Sequence, residues 1–396
     1  MLLSFLLGGI SPLTSTTFAA NISPQALALH ARSIVVDTHC DTTQRLLDAR
    51  FAFHAEHPDG HLDIPRLRRG GVDAIFLAIW VPGTVTGPTA VERALKQIAA
   101  VRLQVKLHSV DLVLARSAND IRSAHSTGKI ALVMAIEGGH MMNDDLDVLR
   151  NYAKLGVRYM TLTHMLNTGW ADSSTDKPEH NGLTDFGRQA IHEMNRLGVM
   201  VDLSHSSDKT FYDVLEIAEA PPIATHSSCR ALCDSPRNLS DEMIRALASR
   251  GGIVQINFHV GFLSQEFRDA EAARPRIRED IEARIGERCA ADSPERLVAA
   301  GQVVRELVAG GALPRVEWTK IIDHIDHAVK VAGIDHVGFG SDFDGADMPY
   351  GMDDASFLPQ ITDALLKKGY TELDVEKILG GNTLRLMEDV EAAATK

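Results

Sequence analysis

Residues 130–137 read Ile130-Ala131-Leu132-Val133-Met134-Ala135-Ile136-Glu137, an unbroken apolar run that ends in a carboxylate. Such a run, without alternation of polar and apolar side chains, is typical of a strand buried on both faces in a parallel sheet. Other β-branched runs recur along the chain, each followed by helical periodicity, at residues 34–38, 74–79, 158–163, 199–203, 223–225, 253–257 and 337–340. Eight strand-helix units predict an α/β fold of the TIM type, a closed (β/α)8 barrel.

The organisation of the chain favours one domain. Its 396 residues suit roughly two or three small domains or one barrel with insertions, and no linker-like break separates the strand runs. An open doubly wound sheet is the alternative, but no G-x-G-x-x-G follows the first strand. Residues 265–306, rich in Arg, Glu and Ala, predict a helical insertion after strand 7. We interpret this insertion as a solvated face, with a lid or a homodimer contact as alternatives.

The N-terminal residues 1–20 differ from the rest of the chain. They carry no charged side chain, begin with an apolar run and end in Thr17-Phe18-Ala19-Ala20. This pattern predicts a signal peptide over residues 1–20, with a frayed helix as the alternative. The remaining residues, 21–396, then form a single domain that is exported to the periplasm or secreted. Gly8, Gly9 and Pro12 interrupt the apolar run, so no transmembrane segment is predicted.

Net charge and cysteine content narrow the function further. Forty basic side chains against 53 acidic ones give a net charge of −13 with histidine neutral. No basic run provides the face that a nucleic-acid backbone requires, so a nucleic-acid partner is excluded. The four cysteines are too few for a disulfide framework in a chain of this length. Cys229 and Cys233 either form a bridge or remain free thiols.

Polar side chains follow six of the eight predicted strands. The chemistry of a (β/α)8 barrel is built at the carboxyl ends of its strands, so we expect these side chains to meet. Because side chains alternate along a strand, His39 and Asp41 face the barrel mouth together, while Cys40 faces the helices. The candidate site comprises His39, Asp41, Glu137, His164, His205, His226 and Asp342.

The composition of this set predicts a metal site. Histidine and carboxylate ligands without cysteine suit a hydrolytic zinc site that keeps one position open for water. A carboxylate can also bridge two ions about 3.5–4 Å apart. With Glu137 as the bridge, each of two Zn2+ ions has three protein ligands, drawn from His39, Asp41, Glu137, His205 and His226.

Eight short motifs occur in order along the chain. They are Asp37-Thr38-His39-Cys40-Asp41, Glu137-Gly138-Gly139-His140, Thr163-His164, Asn181-Gly182-Leu183-Thr184-Asp185-Phe186-Gly187, Asp202-Leu203-Ser204-His205, Thr225-His226-Ser227-Ser228, Pro236-Arg237-Asn238 and Ser341-Asp342-Phe343-Asp344-Gly345. Together they resemble the motifs of the membrane dipeptidase (renal dipeptidase) family of zinc metallopeptidases. The resemblance covers essentially the whole mature chain.

This resemblance implies an amidohydrolase-type barrel that hydrolyses small dipeptides, including those with a C-terminal D-residue, by means of a hydroxide that bridges two zinc ions. The implied ligands of one zinc are His39, Asp41 and Glu137, and those of the other are Glu137, His205 and His226. They agree with the ligands expected from the strand ends.

The resemblance also implies roles for three residues outside the ligand set. His164 and Arg237 contact the substrate, His164 as a donor to the developing oxyanion and Arg237 as a clamp for the free α-carboxylate. Asp342 binds the substrate and transfers the proton, first as general base and then as general acid. The alternatives are an exposed ion pair for Arg237 and a structural carboxylate for Asp342.

Two departures from the family pattern concern the pocket wall and a substrate or oxyanion contact. Thr42-Thr43 follow Asp41 where animal members have Leu-Pro, and His259 stands where they have tyrosine. Another binuclear-metal amidohydrolase, such as a D-aminoacylase, is the alternative function, and hydrolysis of β-lactams is an expected side activity.

Overall fold

A computed structural model describes residues 22–290, 293 and 295–394. Within this part of the chain nine strands form one parallel sheet. Each residue of the strand at 130–137 is buried, as its apolar sequence predicts. The strands are β1 (Val36–Cys40), β2 (Ala74–Trp80), β3 (Leu112–Leu114), β4 (Ile130–Glu137), β5 (Val157–Thr161), β6 (Met200–Asp202), β7 (Ile223–Ala224), β8 (Ile253–Ile256) and β9 (Val337–Phe339).

Eight of the strands follow one another around a nearly closed barrel, in the order β1-β2-β4-β5-β6-β7-β8-β9. The chain after β9 then pairs with the end of β1. The Asp342 amide donates to the His39 carbonyl at 3.0 Å, and the Asp41 amide donates to the Phe343 carbonyl at 2.8 Å. The prediction of a parallel eight-stranded barrel is therefore confirmed. The first and last strands are joined by hydrogen bonds near their carboxyl ends.

The short strand β3 was not predicted. It pairs with residues 130–132 of β4. This part of β4 is free of β5, because β5 pairs with β4 only from Met134 onward. Three residues carry too little alternation or apolar length to be separated from a loop by their sequence.

Sixteen α-helices surround the sheet in the described part of the chain. They are α1 (Pro24–Arg32), α2 (Ile64–Arg69), α3 (Gly87–Leu107), α4 (Ala118–Ser126), α5 (Leu146–Leu155), α6 (Asp185–Leu197), α7 (Asp208–Ile217), α8 (Asp241–Ser249), α9 (Val260–Leu263), α10 (Gln265–Ala272), α11 (Ile277–Gly286), α12 (Arg296–Ala309), α13 (Thr319–Ala332), α14 (Pro359–Lys367), α15 (Glu372–Glu376) and α16 (Asn382–Ala393).

The predicted helical insertion is present between β8 and β9. Helices α10, α11 and α12 cover most of residues 265–306. Their buried apolar side chains form a cluster of their own, which includes Phe267, Ile277, Ile285 and Val303 and is separate from the two clusters around the barrel. The insertion therefore has a small apolar core of its own beneath its charged surface.

Three further predictions concern features outside the barrel. Cys229 and Cys233 are both buried free thiols, so the free-thiol alternative holds. Among the described residues, no helix has the combined length and apolar character needed to cross a bilayer. The predicted signal peptide lies outside the described residues, so export remains a prediction, as does a homodimer.

Candidate metal centre

The carboxyl edge of the barrel brings all seven candidate residues together. His39 and Asp41 lie at the end of β1, and Glu137 is the last residue of β4. The other four, His164, His205, His226 and Asp342, lie in the turns after β5, β6, β7 and β9. Since parallel strands share one carboxyl edge, side chains far apart in sequence converge on the axis of the barrel.

Glu137 lies at the centre of this group. Its Oε1 is 3.1 Å from His205 Nε2 and 3.2 Å from His226 Nε2. Its Oε2 faces another way, 3.5 Å from His39 Nε2. Burial would raise the pKa of Glu137, but the charge of His39 and a hydrogen bond with His205 hold that pKa well below its usual range. The two oxygens of one carboxylate thus point to two different sets of ligands.

Carboxylates crowd around His39. Asp41 Oδ2 and Asp342 Oδ1 each lie 4.0 Å from His39 Nε2. Burial disfavours the imidazolium, but Glu137, Asp41 and Asp342 raise the pKa of His39 to about 10. Burial and the neighbouring Glu137 raise the pKa of Asp41 well above its usual value. This part of the site therefore favours positive charge.

Three buried atoms of the group have no hydrogen-bond partner among the described residues: His39 Nε2, Asp41 Oδ1 and His205 Nδ1. An unsatisfied buried polar atom costs about 1–3 kcal/mol, so these atoms fit a site built around a ligand. Three triads could each hold a cation: His39, Glu137 and His226; Glu137, His164 and His205; and His39, Asp41 and Asp342. They contain all five predicted ligands together with His164 and Asp342, although they divide them differently from the prediction. Nitrogen and oxygen donors without sulfur suit zinc.

The backbone of two site residues adopts an unusual conformation. His205 has φ 67° and Asp342 has φ 65°, in the left-handed region that non-glycine residues seldom occupy. Such conformations cost on the order of 1–3 kcal/mol and concentrate at functional sites. These two residues follow β6 and β9, and their backbone turns each side chain toward the barrel mouth.

Arg237 is buried, with 4% of its surface exposed. Its guanidinium donates to the His226 carbonyl at 3.2 Å and lies 5.3 Å from the centre of the Phe262 ring, while its Nε has no partner. Burial lowers the pKa of Arg237 to about 10, against the attraction of Asp342 and Glu137. No carboxylate among the described residues pairs with it. The alternative of an exposed ion pair is therefore wrong.

Arg237 and all the candidate residues except His39 line a cavity of about 760 Å³ at the barrel mouth. The helical insertion forms part of its wall through Arg268, Glu271, Arg278 and Ala300. His259 lies in the same wall, and its Nδ1 is buried without a partner. A second cavity, of about 580 Å³, is lined in part by α12 and contains none of the seven candidate residues.

Sequence reasoning missed several residues of the cavity wall. Trp80 ends β2, and its ring centre lies 5.6 Å from that of His164. Its position at the end of a predicted strand is the signal that could have indicated it, because the ends of parallel strands meet at the barrel mouth. Asp347 and the insertion residues lie on loops and helices whose approach to the mouth no local pattern encodes.

A nearly closed parallel barrel with histidines and carboxylates at its strand ends defines a metal-dependent hydrolase of the amidohydrolase-like class. Within that class, the model of the membrane dipeptidase family (peptidase family M19) matches residues 23–396, and the chain belongs to this family. The resemblance inferred from the motifs is confirmed.

Relatives and solved structures agree with this assignment. Dipeptidase 3 of Mus musculus is 32% identical over 386 residues, which cover 94% of this chain and 67% of the relative. The probable dipeptidase PvdM from Pseudomonas aeruginosa has a TM-score of 0.80 at 29% identity, covering 93% of this chain and 98% of its own. A metallo peptidase from Rhodobacter sphaeroides, solved with a phosphinate mimic of the dipeptide L-Ala-D-Ala, has a TM-score of 0.74 at 27% identity, covering 90% and 99%. The protein is a metallo-dipeptidase, a hydrolase of peptide bonds.

Proposed function

We propose that this enzyme hydrolyses dipeptides, including those with a C-terminal D-residue, at a centre of two zinc ions that share Glu137. The observation that carries the proposal is the division of the Glu137 carboxylate. Its Oε1 faces His205 and His226, and its Oε2 faces His39. In this assignment His39, Asp41 and Glu137 hold one ion, and Glu137, His205 and His226 hold the other. Bound zinc supplies Lewis acidity and lowers the pKa of water toward neutrality.

Asp342 is placed to carry the proton. Its Oδ2 accepts a hydrogen bond from the Asn257 amide at 2.9 Å, which leaves Oδ1 on the side of His39. Burial would raise the pKa of Asp342, but His226 and His39 lower it, so the side chain is a carboxylate at neutral pH. A carboxylate here can accept the proton of the attacking water and return it to the nitrogen of the leaving amine.

His164 is placed to act on the carbonyl oxygen. Its Nε2 is 3.9 Å from Glu137 Oε1, and it lines the same cavity as Arg237. Burial lowers the pKa of His164, although Glu137 opposes this effect. A neutral imidazole still has one N–H to donate. Such a donor stabilises the oxyanion that develops as the peptide bond is attacked.

Arg237 gives the site its preference for dipeptides. A buried guanidinium with an unpartnered Nε offers a planar fork to a free α-carboxylate. In a longer peptide the corresponding carbonyl belongs to an amide, which carries no charge and has a further residue attached. Only a dipeptide therefore has a free α-carboxylate one residue from the scissile bond, where Arg237 can bind it. The mimic of L-Ala-D-Ala held by the Rhodobacter sphaeroides relative supports a D-residue at this position.

A panel of dipeptides tests the proposal. L-L and L-D pairs, a tripeptide, and an N-acyl-D-amino acid are assayed on protein whose zinc content has been measured. We expect two zincs per chain, hydrolysis of the dipeptides including L-D pairs, and little turnover of the tripeptide. Faster turnover of the N-acyl-D-amino acid than of any dipeptide would overturn the proposal in favour of a D-aminoacylase.

A further inference from the structure

We propose that Asp202 and Thr225 are positioning residues that hold His226 with its Nε2 directed at Glu137. The proposal rests on the function proposed above, because it takes His226 to be a zinc ligand. Asp202 is the last residue of β6, and Thr225 directly follows β7. Both side chains are fully buried.

Asp202 joins three adjacent strand ends. Its Oδ1 accepts hydrogen bonds from the backbone amides of Ser204 at 3.0 Å and Thr225 at 2.9 Å. Its Oδ2 accepts from the hydroxyls of Thr161 at 2.5 Å and Thr225 at 2.7 Å. These donors belong to the ends of β5, β6 and β7, the strands that precede His164, His205 and His226. A single carboxylate thus ties together the backbone beneath three site histidines.

Thr225 connects this carboxylate to His226. Because its hydroxyl proton is given to Asp202, the Thr225 oxygen can only accept from His226 Nδ1, 2.8 Å away. His226 Nδ1 must then carry the proton of the neutral ring. The lone pair of the ring is therefore on Nε2, the atom that lies 3.2 Å from Glu137 Oε1. The relay selects the tautomer that can ligate a cation.

The other histidines near Glu137 are supported differently. His39 Nδ1 lies 2.7 Å from the Tyr159 hydroxyl, which in turn donates to the Thr38 carbonyl at 3.2 Å. His205 Nδ1 is buried and has no hydrogen-bond partner among the described residues. Of these three rings, His226 is the one that a carboxylate orients. We therefore expect the binding of zinc by His226 to depend on Thr225 and Asp202, although neither contacts the metal.

Thr161 offers a matched control, because its hydroxyl also donates to Asp202 Oδ2 but makes no hydrogen bond to a histidine ring among the described residues. Four variants of the full chain are compared: Thr225→Ser, Thr225→Ala, Thr161→Ser and Thr161→Ala. Within each pair only the hydroxyl differs, since both members lack the methyl group. The readouts are the two zinc dissociation constants, measured by competition with a chelator, and the thermal unfolding of the metal-free protein.

We expect Thr225→Ala to weaken one zinc about 10- to 100-fold relative to Thr225→Ser, the range typical of lost outer partners of a ligating histidine. Thr161→Ala should bind zinc within about threefold of Thr161→Ser. Equal losses at the two positions would overturn the proposal, because Asp202 would then act on the fold alone. If Thr225→Ala does not fold, Thr225→Val, which keeps the volume, is compared with Thr161→Val in the same way. Wild-type protein that binds no zinc would instead refute the function on which this proposal rests.

Discussion

The barrel mouth and the helical insertion differ in where their charged side chains lie and in how these side chains are paired. At the mouth, histidines and carboxylates are buried around Glu137, and Arg237 is buried without a carboxylate partner. In the insertion, several charged side chains form ion pairs at the surface, such as Arg288 with Glu306 at 2.7 Å, over an apolar cluster. These surface charges are paired, whereas the mouth contains buried polar atoms without a partner among the described residues.

Because of this difference, we expect substitutions in the two regions to have different effects on activity and on stability. The mouth lowers the stability of the fold, because it contains buried atoms without partners and left-handed backbone at His205 and Asp342. Packing in the rest of the barrel must offset this cost. Surface ion pairs are worth about 0–1 kcal/mol each, so those of the insertion are replaceable. Substitutions at the mouth should therefore change chemistry by large factors, and substitutions among the insertion's ion pairs should change little.

The largest effect is expected for Glu137→Gln. Loss of one anionic oxygen from the shared ligand should lower the zinc content below two per chain. It should reduce kcat/KM by about 10³-fold or more, since the metal centre supplies several kcal/mol to the transition state. Zinc analysis and dipeptide kinetics measure both effects, with Glu306→Gln on the insertion as the matched control. An active Glu137→Gln enzyme with two zincs would show that Glu137 is not the bridge.

Asp342→Asn should come next. The amide keeps the shape and can still pair with Asn257 but cannot take a proton, so we expect kcat to fall by about 10²- to 10⁴-fold. Steady-state kinetics on a dipeptide give kcat, and zinc analysis shows whether the metal is retained. A variant that has lost its zinc would mean that Asp342 acts as a ligand instead of a proton carrier.

Arg237→Ala should have a smaller and more selective effect. A hydrogen bond to a charged group contributes about 1.5–3 kcal/mol, so KM for a dipeptide should rise about 10- to 100-fold. Zinc content should not change. The difference should disappear when the substrate is the C-terminal amide of the same dipeptide. Wild type and variant that differ equally on both substrates would exclude Arg237 as the carboxylate clamp.

The smallest effect is expected in the insertion. Arg288→Ala removes a surface pair with Glu306 and should change the free energy of unfolding by less than about 1 kcal/mol. Dipeptide kinetics should match those of the wild type. Chemical denaturation measures the first quantity and a standard assay the second. A large loss of activity would mean that the insertion's surface charges take part in the reaction, contrary to the comparison.

Much of the mouth could be predicted from sequence, because the site residues follow strands and parallel strands share one edge. His39, Glu137 and His226 needed only the positions of β1, β4 and β7. The remainder depends on tertiary structure. The left-handed backbone at His205 and the burial of Arg237 arise from contacts between distant segments. The presence of Arg268 in the cavity wall depends on where the insertion packs, which its helical composition does not specify.

The central claim is that Glu137 bridges two zinc ions. Crystals of the zinc-loaded enzyme measured at the zinc absorption edge test it most directly. We predict two anomalous peaks per chain, about 3.5–4 Å apart, one beside Glu137 Oε1 with His205 and His226 and the other beside Oε2 with His39 and Asp41. Each peak should lie about 2.0–2.2 Å from its carboxylate oxygen. A single peak, or two peaks of which neither contacts Glu137, would contradict the account.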